Sequence, residues 1–211
     1  INQLTKTFAD HLYETARMLG LALKNVSTKD SLKQINEARY LLSYVYLLQR
    51  RNYEAAILGE YVGRRFQKQD PQLALEASYI ALAAYQQEYS ADPKDQRNLE
   101  MNRMQRLGSL IIDTWPETER ANDTRMLLGN VFRNRDQPVE AARFFSGVPS
   151  TSVRYVESQL SAGQAYWAAY IDASLLDEED WNAFLKKAKL TDGTQPSPNK
   201  DQMLNQWRDA A

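Results

Sequence analysis

The sequence contains no cysteine and a single histidine, His11, among 211 residues. Without cysteine there are no disulfide bonds, thiolate nucleophiles or thiolate metal sites. A Ser/His/Asp type of catalytic system would have to be built around His11, and no motif for one surrounds it. The phosphate-binding patterns G-x-x-x-x-G-K-[ST] and G-x-G-x-x-G are also absent. We therefore expect a protein that is not an enzyme and that uses no cofactor and no metal ion.

The chain also lacks an excess of charge and a long apolar run. It has 26 Lys and Arg against 27 Asp and Glu, for a formal net charge of -1, so no positive field exists to attract nucleic acid. The longest nearly apolar run, YLLSYVYLL at 40–48, is less than half of the ~20 residues that cross a bilayer. The chain begins at Ile1 without a signal-type segment, which favours a mature or trimmed fragment. We expect a protein or peptide partner, no nucleic acid and no membrane span.

Glycine and proline are sparse, at 8 and 7 residues, and fall mostly at the ends of periodic segments. Between them, apolar residues recur at steps of three and four, the spacing that places side chains on one face of a helix. This periodicity predicts an all-α protein of about ten helices. The eighth helix, for example, is predicted from Val153, Val156, Leu160, Gly163, Trp167 and Tyr170.

Local signals predict where several helices begin, end and approach one another. Asp70-Pro71 is typical of a helix start, with an N-cap carboxylate followed by proline in the first turn. Trp115-Pro116 predicts a helix end, because the residue before proline avoids the α region. Gly59 and Gly63, one turn apart, predict a close approach of the neighbouring helix, since a polar helix of this kind does not span a membrane.

A repeat pattern lies in MLLGNVFRNRDQPVEAARFF at 126–145. Leu128-Gly129 is followed at helical spacing by Phe132, and then by Ala141 and Phe145 on the next predicted helix. This order resembles the tetratricopeptide repeat, a helix-turn-helix unit of about 34 residues. The small residue lets the two helices of a hairpin approach each other, and the aromatic residue fills the groove beside it.

One repeat length further along the chain, Gly163 and Tyr166 stand in the register of Gly129 and Phe132. We therefore expect the two glycines to have equivalent surroundings in a stack of hairpins. In the same register, Asp136 and Pro138 belong to the turn between paired helices, with Pro138 starting the second helix.

The resemblance implies a right-handed α-solenoid of antiparallel helix pairs. It is specific from about 106 to 170 and leaves the repeat number in 31–105 open. The segment 106–132 is similar to tetratricopeptide repeats of bacterial envelope assembly proteins, which favours the envelope or periplasm over the cytoplasm. The implied organisation is a repeat domain at 1–190, with an N-terminal helix at 1–30, repeats at 31–175 and a capping helix at 176–190, followed by a linker and short C-terminal helix at 191–211.

Solenoids generally bind partners on the concave face, which is lined by the inner helix of each pair. If the repeat alignment holds, the partner-binding positions are Asp123, Met126, Asn130, Arg133, Asn134, Glu157, Leu160, Gln164 and Trp167. Co-chaperone tetratricopeptide domains bind acidic C-terminal peptides through Lys and Arg positions that are Met126, Glu157 and Ser161 here, so we expect no such peptide on this face.

Two functions remain open. The first is a non-catalytic interaction or scaffolding module of a bacterial repeat protein. The second is a ligand- or glycan-capture protein of an envelope uptake system, in which Trp167 and nearby tyrosines stack on the ligand. A pocket lined by rings would favour capture, and an open groove with mixed charges would favour a protein partner.

Overall fold

The computed structural model describes residues 2–27, 31–91, 98–191 and 198–211. All regular structure in these ranges is helical, without a strand, which confirms the all-α prediction and the number of helices. The described helices are α1 (Asn2–Lys24), α2 (Leu32–Leu48), α3 (Asn52–Arg65), α4 (Pro71–Ala91), α5 (Asn98–Thr114), α6 (Glu119–Arg133), α7 (Pro138–Ser146), α8 (Tyr155–Ser174), α9 (Glu178–Lys187) and α10 (Lys200–Ala210).

The chain forms two compact units, Ile1–Pro116 and Glu117–Ala211. In the first unit each helix packs against the next from α1 to α5, and α2 also contacts α4. In the second unit α6 packs against α7, α7 against α8, and α8 against α10. The short C-terminal helix predicted within 191–211 is α10, and it belongs to the core of the second unit. Most of the predicted linker, residues 192–197, lies outside the described residues.

Helix starts follow the local signals in the sequence. The backbone N–H of Leu73 donates to the Asp70 carboxylate at 3.1 Å, so Asp70 caps α4 as predicted. The hydroxyl of Thr118 accepts from the first turn of α6, and the carboxylate of Asp177 does so for α9. Helix α5 ends at Thr114, directly before Trp115 and Pro116, which confirms the predicted stop.

The break at Asp136 is a Schellman turn that ends α6. Asp136 has a left-handed backbone with φ 52, and its N–H donates to the Arg133 carbonyl at 3.2 Å. The N–H of Gln137 donates to the Phe132 carbonyl at 3.1 Å, which closes the turn. Pro138 then begins α7, as predicted. The interruption of the helical pattern therefore serves to cap α6.

The same turn ends two further helices. After α2, Arg50 has φ 60, and the N–H of the following residue donates to the Tyr46 carbonyl at 2.9 Å. After α9, Lys189 has φ 52, and the N–H of the following residue donates to the Leu185 carbonyl at 2.9 Å. Glycine usually occupies this left-handed position, because a Cβ makes it unfavourable. Here Asp, Arg and Lys occupy it.

Glycines allow α3 to lie directly against α4. A Cβ built at Gly59 would stand 2.7 Å from the backbone oxygen of Ala77, and one at Gly63 would stand 2.1 Å from the Ser78 hydroxyl. Both distances are far below ordinary contact. The predicted close approach of a neighbouring helix at these two positions is confirmed.

The two glycines of the repeat register differ in their surroundings. A Cβ at Gly129 would stand 2.5 Å from the ring of Phe145 on α7, which agrees with the predicted hairpin packing. A Cβ at Gly163 would instead meet the backbone oxygen of Ala211 at 3.0 Å. The prediction of equivalent surroundings is therefore wrong. The physical reason is that the end of the chain, after α10, lies against α8 at Gly163.

A candidate interaction surface on α8

The buried face of α8 consists of small residues. Ser158, Ala162, Ala165, Ala169 and Ala173 recur at steps of three and four, and each is buried. Small side chains allow close packing, and α8 lies against both α7 and α10. This alanine face, with Tyr166 and Tyr170 packed against the same core, anchors α8 in the second unit.

The large apolar residues of α8, together with Leu175 directly after it, lie on the opposite face. At 100° per residue they fall within an arc of about 100°, centred opposite the alanine face. Their side chains are between 42% and 83% exposed. We define the α8 stripe as Val156, Leu160, Trp167, Ile171 and Leu175, with Gln164 among them.

Helix α4 is an internal comparison for α8, because both helices are hydrophobic overall and neither confines its apolar residues to one face. Helix α4 is buried on several sides by α2, α3 and α5, and Leu75, Ile80 and Leu82 are all buried. A helix with apolar residues on more than one face is normally covered on more than one face. The stripe on α8 has no cover of this kind in the described part of the chain. Exposed apolar patches of this sort mark interaction surfaces.

The sequence-predicted residues on α8 all fall on or beside the stripe. Glu157, Leu160, Gln164 and Trp167 are exposed and share one face of the helix. The Trp167 ring stacks on Tyr170, with centroids 5.3 Å apart and an angle of 24° between the planes. The stacking fixes the orientation of an indole that is half exposed to solvent.

Two predicted residues from different helices meet at one arginine. The Arg154 Nε lies 3.2 Å from an Asp123 carboxylate oxygen on α6, and its Nη1 lies 3.1 Å from a Glu157 oxygen on α8. Exposed ion pairs contribute little to stability. Here they show that Asp123 on α6 lies close to the N-terminal end of the stripe.

The other predicted residues on α6 are not joined to the stripe by a described contact. The Arg133 guanidinium donates to the Asn130 side-chain oxygen at 2.7 Å and lies over the Phe145 ring. Asn134 is exposed at the end of α6. Met126 is 7% exposed and belongs to the core. The predicted role of Met126 in partner binding is therefore wrong, because its buried side chain does not reach the surface.

Apart from Arg154 at its N-terminal end, the charged residues around the stripe are acidic. Helix α8 carries Glu157 and Asp172 and has no Lys or Arg within its bounds. Directly after Leu175, the acidic start of α9 presents four exposed carboxylates, at Asp177, Glu178, Glu179 and Asp180. A basic partner therefore fits this surface better than an acidic one.

A small cavity lies in the second unit at the turn around Asp136. Its volume is about 190 Å³, below the usual size of a pocket for a drug-sized ligand. Val139 and Phe184 contribute apolar walls, and Asp172 contributes a carboxylate. Phe184 is the aromatic ring in the lining, and the lining does not include Trp167.

Val156, Ile171 and Leu175 were not singled out from the sequence as candidate surface residues. The available signal was the run of alanines at 162, 165, 169 and 173, whose helical spacing competes with that of the large residues for the buried face.

Within the described ranges, no group of three or more His, Asp or Glu residues is arranged to hold a metal ion. None of the helices described has the length and apolar character needed to cross a membrane. Comparisons of the chain with protein-family models, curated proteins and solved structures found no match.

Proposed function

We propose that this chain is a non-catalytic protein-interaction module that binds an amphipathic helix of a partner protein along the α8 stripe. One observation carries the proposal: α8 buries its alanines and exposes its large apolar side chains. A free surface helix gains stability from the reverse arrangement, since burial of a large apolar side chain contributes about 1.5–3 kcal/mol. The exposed arrangement is understandable if a partner covers the stripe.

The geometry favours an elongated partner. Helix α8 has 20 residues and is about 30 Å long. The stripe follows nearly its whole length, so it can contact a partner helix over several turns. Trp167 lies near the middle, where interface residues of this type contribute most to affinity. The acidic flanks favour lysine or arginine beside the partner's apolar face.

An open surface also favours a protein partner over a captured small molecule or glycan. Trp167 stacks on Tyr170 but is half exposed, and the 190 Å³ cavity does not include it. Small-molecule sites normally bury most of the ligand surface in a concave pocket. The α8 stripe is a helix face, which presents its side chains outward.

For the architecture, we propose tetratricopeptide-like antiparallel helix pairs in a right-handed arrangement. Two observations support this for α6 to α8: Gly129 receives the Phe145 ring, and α7 packs against both α6 and α8. The contact at Gly163 departs from the repeat. The likeness is therefore proposed for α6 to α8 and not for the end of the chain.

The test measures binding of a designed helix. A fluorescein-labelled peptide of about 20 residues carries Leu along one face and Lys on its flanks, and its affinity is measured by fluorescence anisotropy. We expect the double variant Leu160→Gln, Ile171→Gln to bind this peptide about 10- to 100-fold more weakly than the original protein, because two apolar contacts are lost. A peptide with Glu in place of Lys should bind the original protein more weakly.

A matched control distinguishes the stripe from general apolar exposure. The double variant Leu48→Gln, Ile57→Gln removes one Leu and one Ile from the first unit. Leu48 is 41% exposed and Ile57 is 64% exposed, a range that matches Leu160 at 65% and Ile171 at 42%. This control should retain the original affinity. Equal weakening by both double variants, or no binding of the Lys peptide by the original protein, would contradict the proposal.

A further inference from the structure

A polar groove lies between α3 and α5 in the first unit. Its volume is about 760 Å³, within the range typical of ligand sites. Three arginines, Arg64, Arg103 and Arg106, line it, together with a single carboxylate, Glu60. Leu99 is its apolar member, and the rest of the lining consists of amide and hydroxyl side chains. Such a lining suits a hydrophilic ligand.

The carboxylate of the groove is already occupied by donors. The Arg64 Nε donates to Glu60 Oε1 at 2.7 Å, and the Tyr85 hydroxyl donates to Oε2 at 2.8 Å. The Arg103 Nη1 lies 3.4 Å from the same Oε2. Burial of Glu60 favours its neutral form, but the hydrogen bonds from Arg64 and Tyr85 outweigh burial and lower its pKa. Glu60 is therefore ionised at neutral pH, with its oxygens directed at protein donors.

These contacts hold two guanidinium groups in place. Arg64 uses its Nε for Glu60, which leaves its terminal nitrogens available to another acceptor. Arg103 lies over the Tyr85 ring, 6.0 Å from its centroid, in addition to its contact with Glu60. A donor that is already positioned loses less entropy when a ligand binds.

Arg106 adds a third cation to the groove. It follows Arg103 by one helical turn, so both project from the same side of α5. The guanidinium of Arg106 makes no ion pair or hydrogen bond with any residue that the structure describes. Three cations and one carboxylate leave an excess of two positive charges in the groove.

We propose that the groove between α3 and α5 binds a small, multiply charged anion that carries phosphate or carboxylate groups. Arginine donates paired hydrogen bonds to both kinds of oxyanion. The volume accommodates more than one acidic group, and the excess charge matches a ligand with at least two. The site lies in the first unit and is independent of the α8 stripe.

Isothermal titration calorimetry tests the proposal with two probes, inorganic pyrophosphate and citrate, at about 0.15 M salt and neutral pH, where non-specific attraction is screened. We expect saturable binding of at least one probe, and about tenfold weaker binding by Arg106→Gln, from the loss of a charge-assisted hydrogen bond. Binding of pyrophosphate alone indicates a phosphate-bearing ligand, and binding of citrate alone a carboxylate-bearing one.

Arg65→Gln is the control. Arg65 is exposed on α3, does not line the groove, and has no partner among the described residues, so its loss changes the net charge equally. This variant should bind the probes as the original protein does. No saturable binding of either probe, or equal weakening by both variants, would overturn the proposal. Arg106 and Arg65 both lie at the surface, so circular dichroism should show the same helix content in each variant as in the original protein.

Discussion

The contact between α3 and α4 leaves no space for a side chain at Gly59, and we predict that Gly59→Ala destabilises the protein. The added Cβ would lie 2.7 Å from the backbone oxygen of Ala77 and 3.2 Å from the Cβ of Ala81. Neither neighbour is the flexible end of a long side chain. The clash can therefore be relieved only by moving α3 away from α4, which loosens the packing along both helices.

The magnitude follows from two opposing effects. An extra methyl group in a well-packed core costs about 1–3 kcal/mol, and a clash with a backbone oxygen belongs at the upper end of that range. Replacement of a helical glycine by alanine stabilises the helix by about 1 kcal/mol, because alanine has the higher helix propensity. We expect the free energy of unfolding to fall by about 2 kcal/mol.

Urea denaturation followed by circular dichroism at the helical band measures this change. Gly20→Ala on α1 is the control, because a Cβ there has no neighbour within 4 Å. Gly20→Ala has the higher helix propensity of alanine and causes no clash, so it should raise the free energy of unfolding by up to about 1 kcal/mol. If Gly59→Ala proves as stable as the original protein or more stable, the close approach of α3 and α4 is not the reason for the glycine.

Two further predictions concern the turns and alkaline pH. Arg50→Gly should raise the free energy of unfolding by about 0.5–1 kcal/mol, since Arg50 has φ 60, whereas Gln49→Gly, at a φ of -79, should lower it in the same urea assay. Burial, and then the hydrogen bond to Glu60, raise the pKa of Tyr85 to about 12. In the unfolded chain the pKa of tyrosine is about 10. The stability that comes from the raised pKa of Tyr85 is therefore complete below pH 10 and is lost between pH 10 and 12. From pH 9 to 11 the original protein should lose about 1 kcal/mol more than Tyr85→Phe, and equal losses would contradict the assigned pKa.

Helix positions were predictable because their signals are local. The cap at Asp70 and the stop before Pro116 depend on residues within one turn of the helix end, and both are found where the sequence places them. The glycines at 59 and 63 were equally informative. Glycine destabilises a helix interior, so its presence there indicates a place where a side chain would clash with a neighbour. Each of these features can be interpreted without knowing which distant segment lies nearby.

The surroundings of Gly163 were not predictable in this way. The repeat register correctly identified a position of close approach, but the segment that approaches is the end of the chain at Ala211. A small residue specifies that something packs closely and not what packs there. Helix α10 packs against α8, and periodicity contains no information about which of the short helices after α8 does so.

The orientation of α8 shows the same limit and leads to the proposed function. Two helical stripes, one of alanines and one of large apolar residues, both satisfy the periodicity, so the pattern alone does not decide which is buried. Hydrophobicity favours burial of the large residues, yet the alanine face lies in the core because only small side chains allow close packing there. Among the described residues, nothing covers the apolar surface left on Leu160, Trp167 and Ile171, and this is the reason for proposing a partner there. If a charged residue were tolerated at all three positions with no loss of peptide binding, this surface would have no role in recognition.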